Sequence, residues 1–270
     1  MMSLRERFLL FLIGTVVVFC CEVAWSTPLP ATTPLDPEES AGFVEGDMLL
    51  SDAQFQLIRG SNRLQGRNGL VDESRRWPDG IVYYKIVGDF DLAHRNAILD
   101  GMATMESRTC VRFREADSSR KHYVAITSQS GGCFTAVGYQ RKVQQMNLQI
   151  FPLGEGCFRR GTILHEIMHA LGFFHEQSDS QRDDFIRVVY ENIVPGKEFN
   201  FDKYSSSVVT DFDVGYDYDS CLHYRAGAFS QNGEDTIVPL DPKAKIGQRV
   251  SMSEKDVKKI NIMYKCPIKI

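Results

Sequence analysis

The sequence predicts an α+β domain over residues 68–270. Three observations carry that expectation. Residues 80–151 hold short runs of β-branched and aromatic residues that read as strands. Two stretches, 92–105 and 162–171, place apolar residues at helical spacing. Residues 178–250 are rich in Asp, Ser, Gly and Tyr, and a last helix follows over 254–263.

The elements follow in order. Gly80–Val87 reads as a buried strand. In the next helix Leu92, Ile98, Leu99, Met102 and Met105 form the expected apolar set, with Asp91 as N-cap. Cys110–Arg114, Tyr123–Ile126, Cys133–Val137 and Met146–Phe151 are further strands. The helix Thr162–Leu171 is closed by Gly172. Ser253 caps the last helix, and Asp256 stands at the capping-box position.

The chain has 270 residues, 43% of them hydrophobic, and a net charge of −4. That rules out wholesale disorder and low-complexity repeats, and an acidic chain lacks the basic footprint of nucleic-acid binding. The one long apolar run, Phe8 to about Cys21, follows Arg5 and Arg7. It falls short of the ~20 residues of a membrane span, and Ala24 and Ser26 fit a cut after Ser26. Residues 1–26 are therefore expected to be a signal peptide, with an uncleaved membrane anchor as the alternative, and the protein is expected to be secreted. Of seven cysteines, Cys20 and Cys21 lie in this leader. Five remain: Cys110, Cys133, Cys157, Cys221 and Cys266. Secretion favours two bridges and one spare thiol, and spacing leaves the pairing open.

Residues 27–67 differ in character from the domain after them. Six carboxylates (Asp36, Glu38, Glu39, Glu45, Asp47, Asp52) face three arginines (Arg59, Arg63, Arg67), a balance of −3. With few aromatics, such a stretch cannot bury enough apolar surface to fold alone. It reads either as a linker or as a propeptide released by a trypsin-like protease at the stretch Arg59–Arg67.

Three of the six histidines fall within residues 165–175. His165 and His169 are four apart, on one helical face, and can reach a single ion. Leu164, Ile167, Met168 and Leu171 supply the apolar side of that helix. Gly172 permits a left-handed turn, after which His175 can return to the same ion. Three nitrogens leave a position for water, the arrangement of a catalytic zinc site. Glu166, next to the first ligand, is placed to take a proton from that water and deliver it to the departing amine. Three histidines satisfied by ordinary hydrogen bonds are the bland alternative. The extended pattern, with glycine and third histidine in place, is that of metzincins.

The run His165–Glu176 resembles the astacin family of zinc endopeptidases. Trp77-Pro78, Gly132-Cys133-Phe134, Val137-Gly138, Ile246–Arg249, Ser253-x-x-Asp256 and Ile260–Cys266 resemble other parts of the same family, so the likeness spans 68–270. It implies a two-lobed metzincin catalytic domain, with a twisted mixed sheet and two long helices in the upper lobe. The lower lobe is implied to be mostly irregular, with a C-terminal helix. Implied disulfides are Cys110–Cys266 and Cys133–Cys157. An extended substrate is implied to add antiparallel to the edge strand Cys133–Val137. Tyr224 matches a tyrosine that is a further zinc ligand in the resting family enzyme and then helps stabilise the oxyanion; its bland alternative is a packed aromatic. Phe43–Asp47 resembles the family's aspartate switch, in which Asp47 would take the water's place on zinc. Cleavage near Arg67–Asn68 would then send the ammonium of Asn68 toward Glu176.

The expected metal ligands are thus His165, His169 and His175 around one Zn2+, and the catalytic residues Glu166 and Tyr224. The expected function is a secreted zinc endopeptidase made as a latent zymogen and acting as a monomer. Its expected partners are protein or peptide substrates and an activating trypsin-like protease, with no nucleic acid and no membrane after signal cleavage. A catalytically silent zinc-binding protein of the same fold, and a structural zinc protein, are the alternatives. Departures from the family are Leu222 where a methionine normally lies beneath the zinc, an apolar swap of similar volume, and Asp179 and Gln181 after the motif; Arg182 and Asp183 match. Cys221 reads as the unpaired cysteine, a small buried hydrophobe, with a reactive or intermolecular thiol as the alternative. His94 and His122 read as exposed or hydrogen-bonded rather than as ligands, and His223 matches the family turn but is not a ligand by that match.

Overall fold

A computed structural model of the chain describes residues 36–60, 69–204 and 208–267. The leader, the cut after Ser26, the arginines at 63 and 67 and the expected new terminus at Asn68 lie outside these residues.

In chain order the elements are α1 (Pro37–Ser40), β1 (Met48–Leu49), α2 (Asp52–Gly60), β2 (Gly69–Leu70), β3 (Ile81–Ile86) and α3 (Leu92–Arg108). There follow β4 (Arg112–Glu115), β5 (Tyr123–Thr127), β6 (Cys133–Ala136), β7 (Val143–Leu148) and α4 (Arg160–Leu171). Short strands β8 (Ile186–Val188), β9 (Val209–Thr210) and β10 (Ile237–Pro239) precede α5 (Glu254–Met263).

The main sheet has six strands in the order β1-β6-β7-β5-β3-β4. All neighbours are parallel except β6 and β7. The sheet is therefore mixed, as expected. Its apolar side packs against α3 and α4 in one core that includes Val82, Val124, Ile126, Met102, Ile163 and Ile167. A glycine permits the close helix approach, since a Cβ on Gly101 would lie 2.6 Å from Ile163 Cγ2. A second, smaller cluster of Ile186, Ile193, Phe201, Tyr216, Tyr224, Phe229 and Ile237 holds the turn-rich stretch together. Here regular elements are three-residue strands and 3₁₀ turns, as the Asp, Ser and Gly content predicts.

Asp91 caps α3 through His94 N, and Ser253 and Asp256 form a full capping box on α5. Several expectations need correction. Leu92 is 74% exposed and Leu99 39% exposed. The buried face of α3 is Ile98, Gly101, Met102 and Met105, and Leu92 lies too far round the helix to join it. The strand expected at 146–151 spans Val143–Leu148, because Val143 already pairs with Tyr123. Polar Gln144 hid this start: it is buried, and its amide donates to the carbonyls of Ala136 and Gly138. The strand expected from Cys110 starts at Arg112, because Cys110 is held beside the ladder by its disulfide. Both bridges, Cys110–Cys266 and Cys133–Cys157, are formed, and Cys221 is free and buried.

The edge strand that the resemblance implies over Cys133–Val137 forms as Cys133–Ala136, and it does not lie at the edge of the sheet. It is covered instead by β1, which pairs Met48 with Thr135 and Leu49 with Ala136 in parallel. The segment 36–60 does not stand alone; it lies on the domain and buries Glu38, Glu39, Glu45, Asp47 and Gln54. Gln54 Nε2 donates to the carbonyl of Val137, just past β6.

Candidate active site

Helix α4 is buried along nearly its whole length, with Leu164, Met168 and Leu171 inaccessible to solvent. That burial fixes the face carrying His165 and His169. Gly172 ends the helix in the left-handed region at φ 111°, and the N–H of Phe173 returns to the carbonyl of Met168. The chain reverses and brings His175 back. His165 Nε2 lies 2.9 Å from His169 Nε2 and 3.3 Å from His175 Nε2.

The other ring nitrogens decide the tautomers. His165 Nδ1 donates to the carbonyl of Cys221 at 2.7 Å, and His169 Nδ1 to that of Phe173 at 2.7 Å. A carbonyl can only accept, so the proton sits on Nδ1 and the Nε2 lone pairs point at one another. His175 Nδ1 meets the carboxylate of Glu45 at 2.7 Å, and a carboxylate can only accept, so Nδ1 carries a proton there as well.

Asp47 completes the cluster. Its Oδ2 is 3.0 Å from His165 Nε2 and 3.3 Å from His175 Nε2, and its Oδ1 is 3.5 Å from His169 Nε2. One ligand atom from each of Asp47, His165, His169 and His175 falls within 4.8 Å of the others. All four residues are buried. Asp47 Oδ1 has no hydrogen-bond partner. Three imidazole nitrogens and a carboxylate oxygen are the donor set zinc takes, so the residues present can hold a metal ion.

A tight turn aims Asp47. Phe43 and Gly46 bond each other, and Glu45 and Gly46 both take positive φ. Gly46 is required: a Cβ there would lie 2.5 Å from the carbonyl of Glu38. The turn also directs Glu45 inward, where its Oε1 accepts from Ser178 Oγ at 2.7 Å. Its carbonyl accepts the hydroxyl of Tyr224 at 2.6 Å.

Glu166 is fully buried beside this cluster. Its Oε2 accepts from Thr135 Oγ1 on β6, while Oε1 has no hydrogen-bond partner. Burial, and then the charge of Asp47, push its carboxyl well above the usual range. Burial pushes His165 down to about 4. Burial also acts to lower His175, but Asp47 and Glu45 outweigh it and raise it to about 9. Burial would raise the Asp47 carboxyl, yet His175 and His169 hold it well below its ordinary value.

Beneath the imidazoles the turn Ser220–Leu222 is tied to α5. Asp256 accepts from Ser220 Oγ and from Cys221 N. Leu222 is fully buried at the expected floor position, and its carbonyl accepts from Glu176 N. Cys221 Sγ packs 3.3 Å from Met168 Sδ. Glu176, expected to meet Asn68, binds Lys259 Nζ and the N–H of Asp217.

The N-terminal segment is also held by arginines. Glu38 binds Arg249 and Arg159 and accepts from Thr162 Oγ1, and Glu39 binds Arg225. Among the other histidines, His94 bonds Asp91 and the Phe151 carbonyl, His122 bonds Tyr139, and His223 bonds Tyr216. None joins the cluster.

The structure thus brings together His165, His169, His175, Glu166 and Asp47, with Tyr224 against the same turn. Sequence reasoning missed Thr135, Lys259 and the separate role of Glu45. Glu45 lies inside the Phe43–Asp47 run that resembles the family's switch; the other two had no local signal.

Comparisons with known proteins agree with this geometry. Residues 69–265 match the peptidase family described as Astacin. The chain is 42% identical over 237 residues to "Seminal metalloprotease 1" of Drosophila melanogaster, covering 86% of this chain and 90% of that protein. It is 37% identical to "Zinc metalloproteinase nas-4" of Caenorhabditis elegans, covering 86% of this chain and 72% of the relative. The solved structure of high choriolytic enzyme 1, a hatching-enzyme zinc protease from Oryzias latipes, superposes with a TM-score of 0.66 at 32% identity. That match covers 73% of this chain and 97% of the other. Fold and site define a zinc metalloendopeptidase of the metzincin class. The chain belongs to the astacin family.

Proposed function

We propose that the chain is a secreted zinc endopeptidase made in latent form, that residues 1–26 are its signal peptide, and that residues 27–67 are its propeptide. The observation that carries the latency is Asp47, whose Oδ2 stands 3.0 Å from His165 Nε2 at the convergence of the three imidazoles. A carboxylate there takes the position that the reacting water needs. Secretion is supported by the leader pattern and by the two disulfides, which persist in oxidising compartments.

His165, His169 and His175 hold one zinc ion in this reading. When bound, zinc supplies Lewis acidity, which acidifies a water and polarises the scissile carbonyl. Glu166 takes a proton from the attacking water at Oε1, the oxygen left open by Thr135, and passes it to the departing amine. Tyr224 is held off by the Glu45 carbonyl in the latent chain. Once the segment leaves, its hydroxyl donates to the oxyanion. Substrates are proteins or peptides, laid along Cys133–Ala136 after β1 is removed. A trypsin-like protease makes the activating cut near Arg67, and the mature enzyme acts as a monomer without nucleic-acid or membrane partners.

Trypsin-processed protein is incubated with a protein substrate with and without a zinc chelator. Chelator-sensitive cleavage is expected only after processing. The variant Glu166→Gln should keep its zinc by metal analysis and lose at least about a hundredfold in rate. Undiminished turnover rejects the assigned base. An unprocessed Asp47→Ala chain should cleave without trypsin, and persistent latency in that variant rejects Asp47 as the block.

A further inference from the structure

Two of the three imidazoles are oriented by the catalytic domain itself. His165 Nδ1 is bound by the carbonyl of Cys221, and His169 Nδ1 by that of Phe173. The third differs. His175 Nδ1 is bound by a carboxylate, Glu45 Oε2 at 2.7 Å, which belongs to the N-terminal segment. Glu45 is fully buried, and its second oxygen is engaged by Ser178 Oγ at 2.7 Å. The turn therefore delivers two carboxylates to the same site. Asp47 faces the Nε2 side of the imidazoles, and Glu45 faces the back of one ring.

A carboxylate on the remote nitrogen of a metal-bound histidine fixes its tautomer and raises its basicity as a ligand. We propose that Glu45 is a positioning residue that strengthens metal binding in the latent chain, so that the segment retains the metal as well as blocking it. Removal of the segment then takes away the partner that holds His175 in register, and the processed enzyme binds zinc more weakly. This inference rests on the reading of the three imidazoles as metal ligands.

The test uses the full chain and zinc competition against a chromophoric chelator, with folding checked by near-ultraviolet circular dichroism. Glu45→Gln keeps an acceptor for Nδ1 but removes the charge, and Glu45→Ala removes both. Zinc affinity should fall about 10–100-fold in the alanine variant and by less in the glutamine variant. Glu39→Gln, which loosens the Arg225 contact of the same segment, should leave it unchanged. The Co2+-substituted Glu45→Ala chain should show a shifted visible spectrum, which a loss of docking far from the ring would not give. Zinc affinity within twofold of the parent in Glu45→Ala overturns the inference, as does an equal fall in Glu39→Gln. A full chain that takes up no zinc overturns it together with the proteolytic reading. Normal zinc uptake with no effect at Glu45 overturns it alone.

Discussion

Lys259 Nζ lies 2.8 Å from both carboxylate oxygens of Glu176, and neither side chain reaches solvent. The pair joins α5 to the residue directly after His175. Burial would lower the Lys259 ammonium, but Glu176 keeps it above its usual value, while at Glu176 burial outweighs Lys259 and raises the carboxyl to about 7. Both groups have left water, so removing Lys259 leaves the buried Glu176 carboxyl without its charged partner. Lys259→Met is expected to cost about 3–5 kcal/mol, while Lys259→Met with Glu176→Gln should recover much of the loss. Urea denaturation of the three chains checks this. Equal stability of the single and parent chains would reject a structural role for the pair.

Thr135 spans two tasks, pairing with Met48 in the sheet and donating to Glu166 Oε2 at 2.5 Å. A hydrogen bond to a charged group contributes about 1.5–3 kcal/mol. Thr135→Val should therefore lower kcat of the processed enzyme by about tenfold to a hundredfold, with zinc content intact. Rates on a peptide substrate alongside metal analysis read both quantities.

Acid should not release the N-terminal segment readily. Burial would raise the Glu38 carboxyl, but Arg249, His165 and Arg159 hold it far below the ordinary range. A depressed carboxyl stabilises the docked form at every pH above its free value of about 4.3 and loses that contribution only as pH falls through the lowered one. In the proposed reading, uncut protein is thus expected to show no activity at pH 5. Activity appearing there without cleavage, followed by gel and substrate assay, would show that the contacts of Glu38 with Arg249 and Arg159 are not the latch.

Cys221 should be inert in the native chain. It is fully buried, and burial followed by Asp256 pushes its thiol well above the ordinary range. Iodoacetamide should label it in denaturant and not before, as counted by mass spectrometry. Prompt native labelling would mean that the turn beneath the imidazoles opens.

Legibility followed range. Helix α4 with its histidines was readable because every part of it, from the i, i+4 histidines to Gly172, is encoded within a few residues. The caps Asp91 and Ser253 were equally local. The disulfide partners, 156 and 24 residues apart, came only through the family likeness. Lys259 was illegible because a lysine on an amphipathic helix normally faces water, and only the tertiary fold brings Glu176 to it. The start of β7 was hidden because Gln144 is a polar side chain satisfied by backbone carbonyls in the interior. Leu92 misled in the opposite direction, being apolar but outside the packed face of α3.

Met48–Leu49 threads the β6 groove in the same sense as its host strand. A guest lying there in the opposite sense offers its amide links back to front by comparison. If the segment is removed as proposed, a synthetic peptide copying residues 43–50 should consequently bind along β6 and come out whole, and mass spectra of the recovered peptide would reveal any nick.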